Sequence, residues 1–188
     1  PPTDAEPVDA QSFSYMQAKQ MHAIAMRFAE NGHTGESEVV LQSTLAQLES
    51  ALDVAERSAL EGDICCDLAE LRGRLKDRAG AEALLGRALV FWAAGQPSAL
   101  LDARQKLRWC LLMLTLVGKP DPAFEMLRGI APVLESSLPE GHPERGDLAF
   151  CLAMLFMLRG DDALAIPYLR SAHDIRVANH GAEDPRTL

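Results

Sequence analysis

The chain has 188 residues, 48% of them hydrophobic and 24% charged, and its 27 acidic against 18 basic side chains give a formal charge of −9. That balance argues against nucleic acid, whose phosphates need clustered Lys and Arg. It is compatible with a basic or neutral partner, although surface acidity also serves solubility. No stretch approaches the roughly 20 uninterrupted apolar residues of a membrane helix. The longest apolar run, Trp109 to Val117, contains Thr115 and is read as a buried helix.

Residues 1–12 open with three prolines and three acids in the first ten positions, without apolar periodicity. They read as a flexible leader. A chain that starts Pro-Pro and has no Met before Met16 is expected to be a processed product or a domain cut from something longer. From Phe13 to Asn31, Met16, Met21, Ile24, Ala25 and Phe28 recur at helical spacing until Asn31-Gly32-His33-Thr34-Gly35 breaks the pattern. Glu36 to Leu52 continues with Val40, Leu41, Leu45, Leu48 and Leu52, so a second helix can fold back on the first. Glu61-Gly62-Asp63 offers an N-cap at Asp63, after which Ile64, Leu68, Leu71 and Leu75 predict one helix and Ala81, Leu84, Leu85, Ala88 and Leu89 the next. Helices over Leu100–Val117 and Ala123–Leu134 flank Gly118-Lys119-Pro120-Asp121-Pro122. The last pair is expected over about Arg145–Leu158 and Asp161–Asn179.

A period of 42 residues runs through this series. Pro143 returns as Pro185, Gly118 as Gly160, Ala81 as Ala123 and Ala165, and Leu85 as Leu127 and Leu169. A fixed period of this length marks an array of helix pairs, in which no unit buries its own apolar face and neighbours stack into one core. The units are placed at 13–52, 57–98, 99–140 and 141–180, with 181–188 as the start of a truncated fifth.

Four cysteines, Cys65, Cys66, Cys110 and Cys151, show no CxxC spacing and no nearby His, so they are read as small core residues and not as a zinc site. Reduced thiols point to the cytoplasm; an extracytoplasmic domain of a membrane-anchored protein is the alternative. No Ser/His/Asp order, phosphate loop or HExxH is present, and the five histidines are dispersed. His142 is assigned to an inter-repeat turn, and Asp161-Asp162 to the favourable start of a helix dipole. No catalytic residue, metal or cofactor is expected.

The repeat resembles the tetratricopeptide (TPR) family, in the 42-residue variety of kinesin light chains and many bacterial regulators. That pattern has a large apolar residue, a small one after it, an aromatic three further on, a Gly at the turn and small residues in the second helix. Leu152, Ala153, Phe156, Gly160, Ala165, Leu169 and Ala172 match it in the fourth unit. The first supplies Ile24, Ala25, Phe28, Gly32 and Leu41, with Ser37 and Thr44 in place of the small apolar pair. The second has Leu68, Ala69, Ala81, Leu85 and Ala88, with Arg72 for the aromatic and Lys76 for the Gly; the third has Cys110, Leu111, Leu114, Gly118, Ala123, Leu127 and Ile130. Pro167 matches a Pro of the family, and its missing N–H is placed among those that lack a helical partner anyway.

The resemblance implies an all-α right-handed superhelix of about four αα-hairpins whose first helices line a concave groove. Family positions place Lys19, His22, Met26 and Glu30 in that groove from the first unit and Asp63, Cys66, Glu70 and Arg74 from the second. The third contributes Gln105, Arg108, Leu112 and Thr115, and the fourth Asp147, Phe150, Met154 and Met157. The Lys/Asn/Asn/Lys/Arg carboxylate clamp of chaperone-binding members is not found. The expected function is non-catalytic binding of a peptide or helix of a protein partner. A sensory or regulatory module of a larger bacterial signalling protein and self-association through the terminal repeat are the alternatives. On this reading Arg108→Glu with Phe150→Ala weakens binding without changing helix content.

Overall fold

The computed structural model describes residues 14–51, 53–182 and 184. The 1–12 leader, Phe13, Leu52 and most of the 181–188 segment lie outside these. Eight α-helices follow: α1 (Tyr15–Glu30), α2 (Thr34–Ala51), α3 (Val54–Arg74), α4 (Arg78–Ala94), α5 (Ala99–Leu112), α6 (Pro120–Ser137), α7 (Pro143–Arg159) and α8 (Asp162–His180), with a π-helical turn, Met113–Val117, extending α5. Each odd helix packs mainly on the even helix after it.

Local chemistry sets the helix starts. Ser14 and Gln17 form a reciprocal capping box on α1. The side chain of Asp77 accepts from Gly80 N at 2.9 Å, and His142 Nδ1 accepts from Glu144 N at 3.2 Å. Within each pair the chain turns through a left-handed residue: Gly32 (φ +82), Lys76 (φ +61), Gly118 (φ +75) and Gly160 (φ +82). Lys76 thus holds a conformation that glycine adopts more easily.

Small residues at the helix crossings let the axes approach closely. Ala25, Ala69, Ala81, Ala88, Ala123 and Ala153 have no exposed surface, and Ser37 and Thr44 are buried at the equivalent places in the first unit. The third unit departs from strict periodicity. A gapless 42-residue register puts Leu111 at the small position, yet the buried small side chain is Cys110, while Leu111 is only half-buried. Ala25 and Ala153 each precede their turn glycine by seven residues, whereas Cys110 precedes Gly118 by eight. A π turn accommodates one extra residue, and Met113–Val117 absorbs it there.

Two expectations are corrected. α3 begins at Val54, so Asp63 lies in mid-helix and caps nothing. Gly62 is no breaker: the Trp92 indole of α4 lies against it, and a Cβ there would stand 2.2 Å from Trp92 Nε1. Pro167 is the sixth residue of α8, beyond the four N–H groups that lack a helical partner. Its ring leaves the carbonyl of exposed Ala163 to water.

Successive first helices touch (α1 with α3, α3 with α5, α5 with α7), whereas among the described residues the backbones of α2 and α4, of α4 and α6 and of α6 and α8 stay apart, α2 and α4 being bridged by the Arg87–Glu49 ion pair at 3.2 Å. The array therefore curves with its first helices inside. The splayed outer layer leaves a cleft of about 490 Å³ between α2 and α4. Ion pairs fasten neighbouring units on the outside: Arg72 with Glu38, Lys119 with Glu82 at 2.6 Å and Arg159 with Asp121 at 2.9 Å.

The core holds one acid at odds with its surroundings. Glu61 is 1% exposed, lies 3.5 Å from Arg57, and neither of its oxygens has a hydrogen-bond partner. Burial raises its pKa, against the opposing pull of Arg57; Glu49 adds to the rise and Arg87 opposes it. The folded chain thus holds this proton more tightly than the unfolded chain. The contribution is fully present below the ordinary carboxyl pKa and is lost as pH rises through the elevated value. Glu61→Gln is accordingly expected to raise stability at pH 7, to leave it unchanged at acid pH and to flatten the profile between, as read by urea melts across pH. Lys76→Gly is expected to stabilise by about 0.5–1 kcal/mol at the turn, measured the same way.

Candidate functional site

The inner face is built from one stripe of each odd helix. On α1, Lys19 is exposed with its ammonium 5.0 Å from the centre of the Tyr15 ring, Met26 is half-buried and Glu30 is exposed. His22 faces α3, and its Nε2 lies 2.5 Å from Asp67 Oδ2. From α5, the Arg108 guanidinium meets Asp67 at 2.5 Å, Glu70 at 3.3 Å and Asp63 at 3.8 Å. Asp67, whose side chain is only 6% exposed, thus joins three successive units.

Burial alone would lower the Arg108 pKa, but Asp67, with help from Glu70, raises it, so the guanidinium stays charged. Asp63 moves upward, chiefly through burial and secondarily through the negative charge of Asp67, against the pull of Arg108. Three carboxylates share one guanidinium, and the centre of the face carries an excess of negative charge. Asp63 and Glu70 remain 44% and 35% exposed, so part of that charge is accessible.

Towards the last unit the face becomes apolar. Arg176 of α8 lies over the Phe150 ring at 4.6 Å and pairs with Asp147 at 3.3 Å. Met154 is half-buried, and Met157 is 46% exposed. Arg74 and Thr115 are exposed, the Thr115 hydroxyl donating to the Leu111 carbonyl at 2.7 Å.

Three residues placed on the groove by the repeat pattern lie beneath it. Cys66 has no exposed surface, Leu112 is 6% exposed and Gln105 8%, because α3, α5 and α7 press together at these positions. Arg108 is on the face but already engaged, so Arg108→Glu does more than remove a contact: it sets a fourth carboxylate among three. Asp67, the hub, was absent from the expected set. Its signal was available in the pattern, since it lies one turn after Asp63, one turn before Glu70 and 41 residues before Arg108.

The cysteines are free and buried, and burial pushes the Cys65 thiol up to about 11 and the Cys110 thiol up to about 12. Such thiols are poor nucleophiles. Among the described residues no group of three or more His, Cys, Asp and Glu side chains is arranged to hold a metal ion, and no helix is long and apolar enough to cross a membrane.

No protein-family model matches the chain, and no curated protein does. Solved structures do. The Q17M form of the nearly identical TPR-like repeats assigned to a kinesin light chain of Podosopora anserina superposes with a TM-score of 0.68 at 17% identity, over 91% of this chain and 80% of that one. A second structure of those repeats gives 0.65 at 17% identity, over 89% and 78%. With four αα-hairpins, a left-handed turn within each and this superposition, the chain has the fold of a TPR-like repeat protein.

Proposed function

We propose that this chain is a non-catalytic protein-interaction scaffold that holds a peptide segment of a partner along its inner face. The observation that carries this reading is the pairing, on one continuous surface, of an acidic centre with an apolar end. Asp63, Asp67 and Glu70 share Arg108 at the first, and Phe150, Met154 and Met157 form the second. An extended or helical peptide with a Lys or Arg at one end and apolar side chains at the other satisfies both. Methionines repack around varied side chains at little cost. A cation near Asp63 would offset the burial that raises its pKa, so binding is expected to weaken as pH falls into the carboxyl range.

Selection of a random peptide library on the purified chain tests the proposal. Recovered peptides are expected to carry Lys or Arg beside a run of Leu, Met or Phe. Asp63→Asn and Met154→Ser are each expected to weaken their binding about tenfold, the scale of one lost charged or buried apolar contact. Peptides without a basic residue, or affinities unchanged in both variants, would move the site elsewhere. Arg108→Glu is expected instead to destabilise the array by about 2 kcal/mol in urea melts, because it leaves buried Asp67 without its cation.

A further inference from the structure

Among the described residues α8 packs on α7 alone. Its opposite face is open, with Leu164 53% and Ile166 49% exposed, and it floors a shallow depression of about 670 Å³ with Glu140 and Gly141 at its edge. Ile166, Arg170, Asp174 and Ala178 follow one another at four-residue intervals along this face, flanked by Pro167 and Ser171. Arg170 makes no ion pair among the described residues, and the highly exposed Asp174 has only its neighbour His173 at 3.6 Å.

This row is complementary to itself. When two copies of α8 lie antiparallel about a two-fold axis passing between Arg170 and Asp174, each Arg170 meets the other copy's Asp174. In the same register the bulky Ile166 meets the small Ala178, and Ser171 near the axis leaves room for close approach. The antiparallel arrangement also opposes the two helix dipoles. The geometry points to a second copy of this chain as the occupant of the α8 face. The strip from Ile166 to Ala178 is about 18 Å long at helical rise, so the contact is at the small end of specific interfaces and the dimer is weak. It uses the outer layer, leaves the inner face free and puts two grooves on one particle. A partner with two copies of the recognised peptide would then be held more tightly than either groove holds one.

Sedimentation equilibrium of the full chain from about 5 to 500 µM, a range suited to a small interface, tests the proposal. The wild type is expected to shift from monomer to dimer across it. Arg170→Asp and Asp174→Arg, each made alone, place like charges across the axis and are expected to weaken the dimer at least about tenfold. The double swap Arg170→Asp/Asp174→Arg restores both attractive pairs, and a one-to-one mixture of the two single variants gives a heterodimer with the same pairs. Both are expected to return to within about threefold of the wild type. These side chains are exposed, so circular dichroism is expected to be the same for all variants. A wild type that stays monomeric at the highest concentration overturns the proposal, as does a single swap without effect or a double swap that fails to restore association. None of these results depends on whether the inner face binds peptides.

Discussion

Close approach of helices through small side chains underlies every other feature of this molecule. Ala25, Ala69, Ala81, Ala88, Ala123, Ala153 and Ala165 are almost wholly buried, and a leucine at any of these crossings would hold the axes apart. With the hairpins drawn tight, the first helices meet along the inside while the second helices splay. That difference gives the array its curvature, and the curvature gathers side chains from α1, α3, α5 and α7 onto one surface. The turns serve the same end, since one residue in the left-handed region reverses the chain between the two helices of each pair.

Polar contacts add register to this apolar frame. Asp67 reaches His22 in the unit before it and Arg108 in the unit after it, so one buried carboxylate correlates three units. Ion pairs of this depth are weak sources of net stability, because desolvation cancels much of the attraction. Their value lies in direction: a slip of one residue between α3 and α5 would separate buried Asp67 from the Arg108 guanidinium and leave it only His22. The outer pairs formed by Lys119 and Arg159 are more exposed and contribute little each.

Most of the architecture was legible in the sequence because a repeat states its pattern several times. Gly32, Gly118 and Gly160 announced the turns, and Lys76 could be placed among them only through the period. What escaped was local. Glu61-Gly62-Asp63 reads as a helix start from composition, and only the Trp92 indole packed on Gly62 shows why a glycine is needed inside α3. The extra residue before Gly118 was hidden because a gapless register matched the surrounding landmarks while misplacing Cys110 by one. The groove was legible as a set of helix faces, not as a surface. Periodicity tells which stripe of a helix points inward, but it cannot tell that Cys66, Gln105 and Leu112 fall where neighbouring helices close over them. Nor does it show that Arg108 is held by three acids supplied from a single helix.

The one-sided contact between units has a mechanical consequence. Where the first helices already touch, the inner layer resists compression, because overlapping side chains cost energy steeply. The outer layer, with its open cleft between α2 and α4, offers no such resistance. The array therefore behaves as an asymmetric spring. A force that bends it inward meets packed helices at once, whereas one that straightens it works against the inner ion pairs and closes empty space outside. Elastic deformation of this molecule runs towards a wider inner face, and the His22–Asp67–Arg108 chain is the element placed in tension when it does.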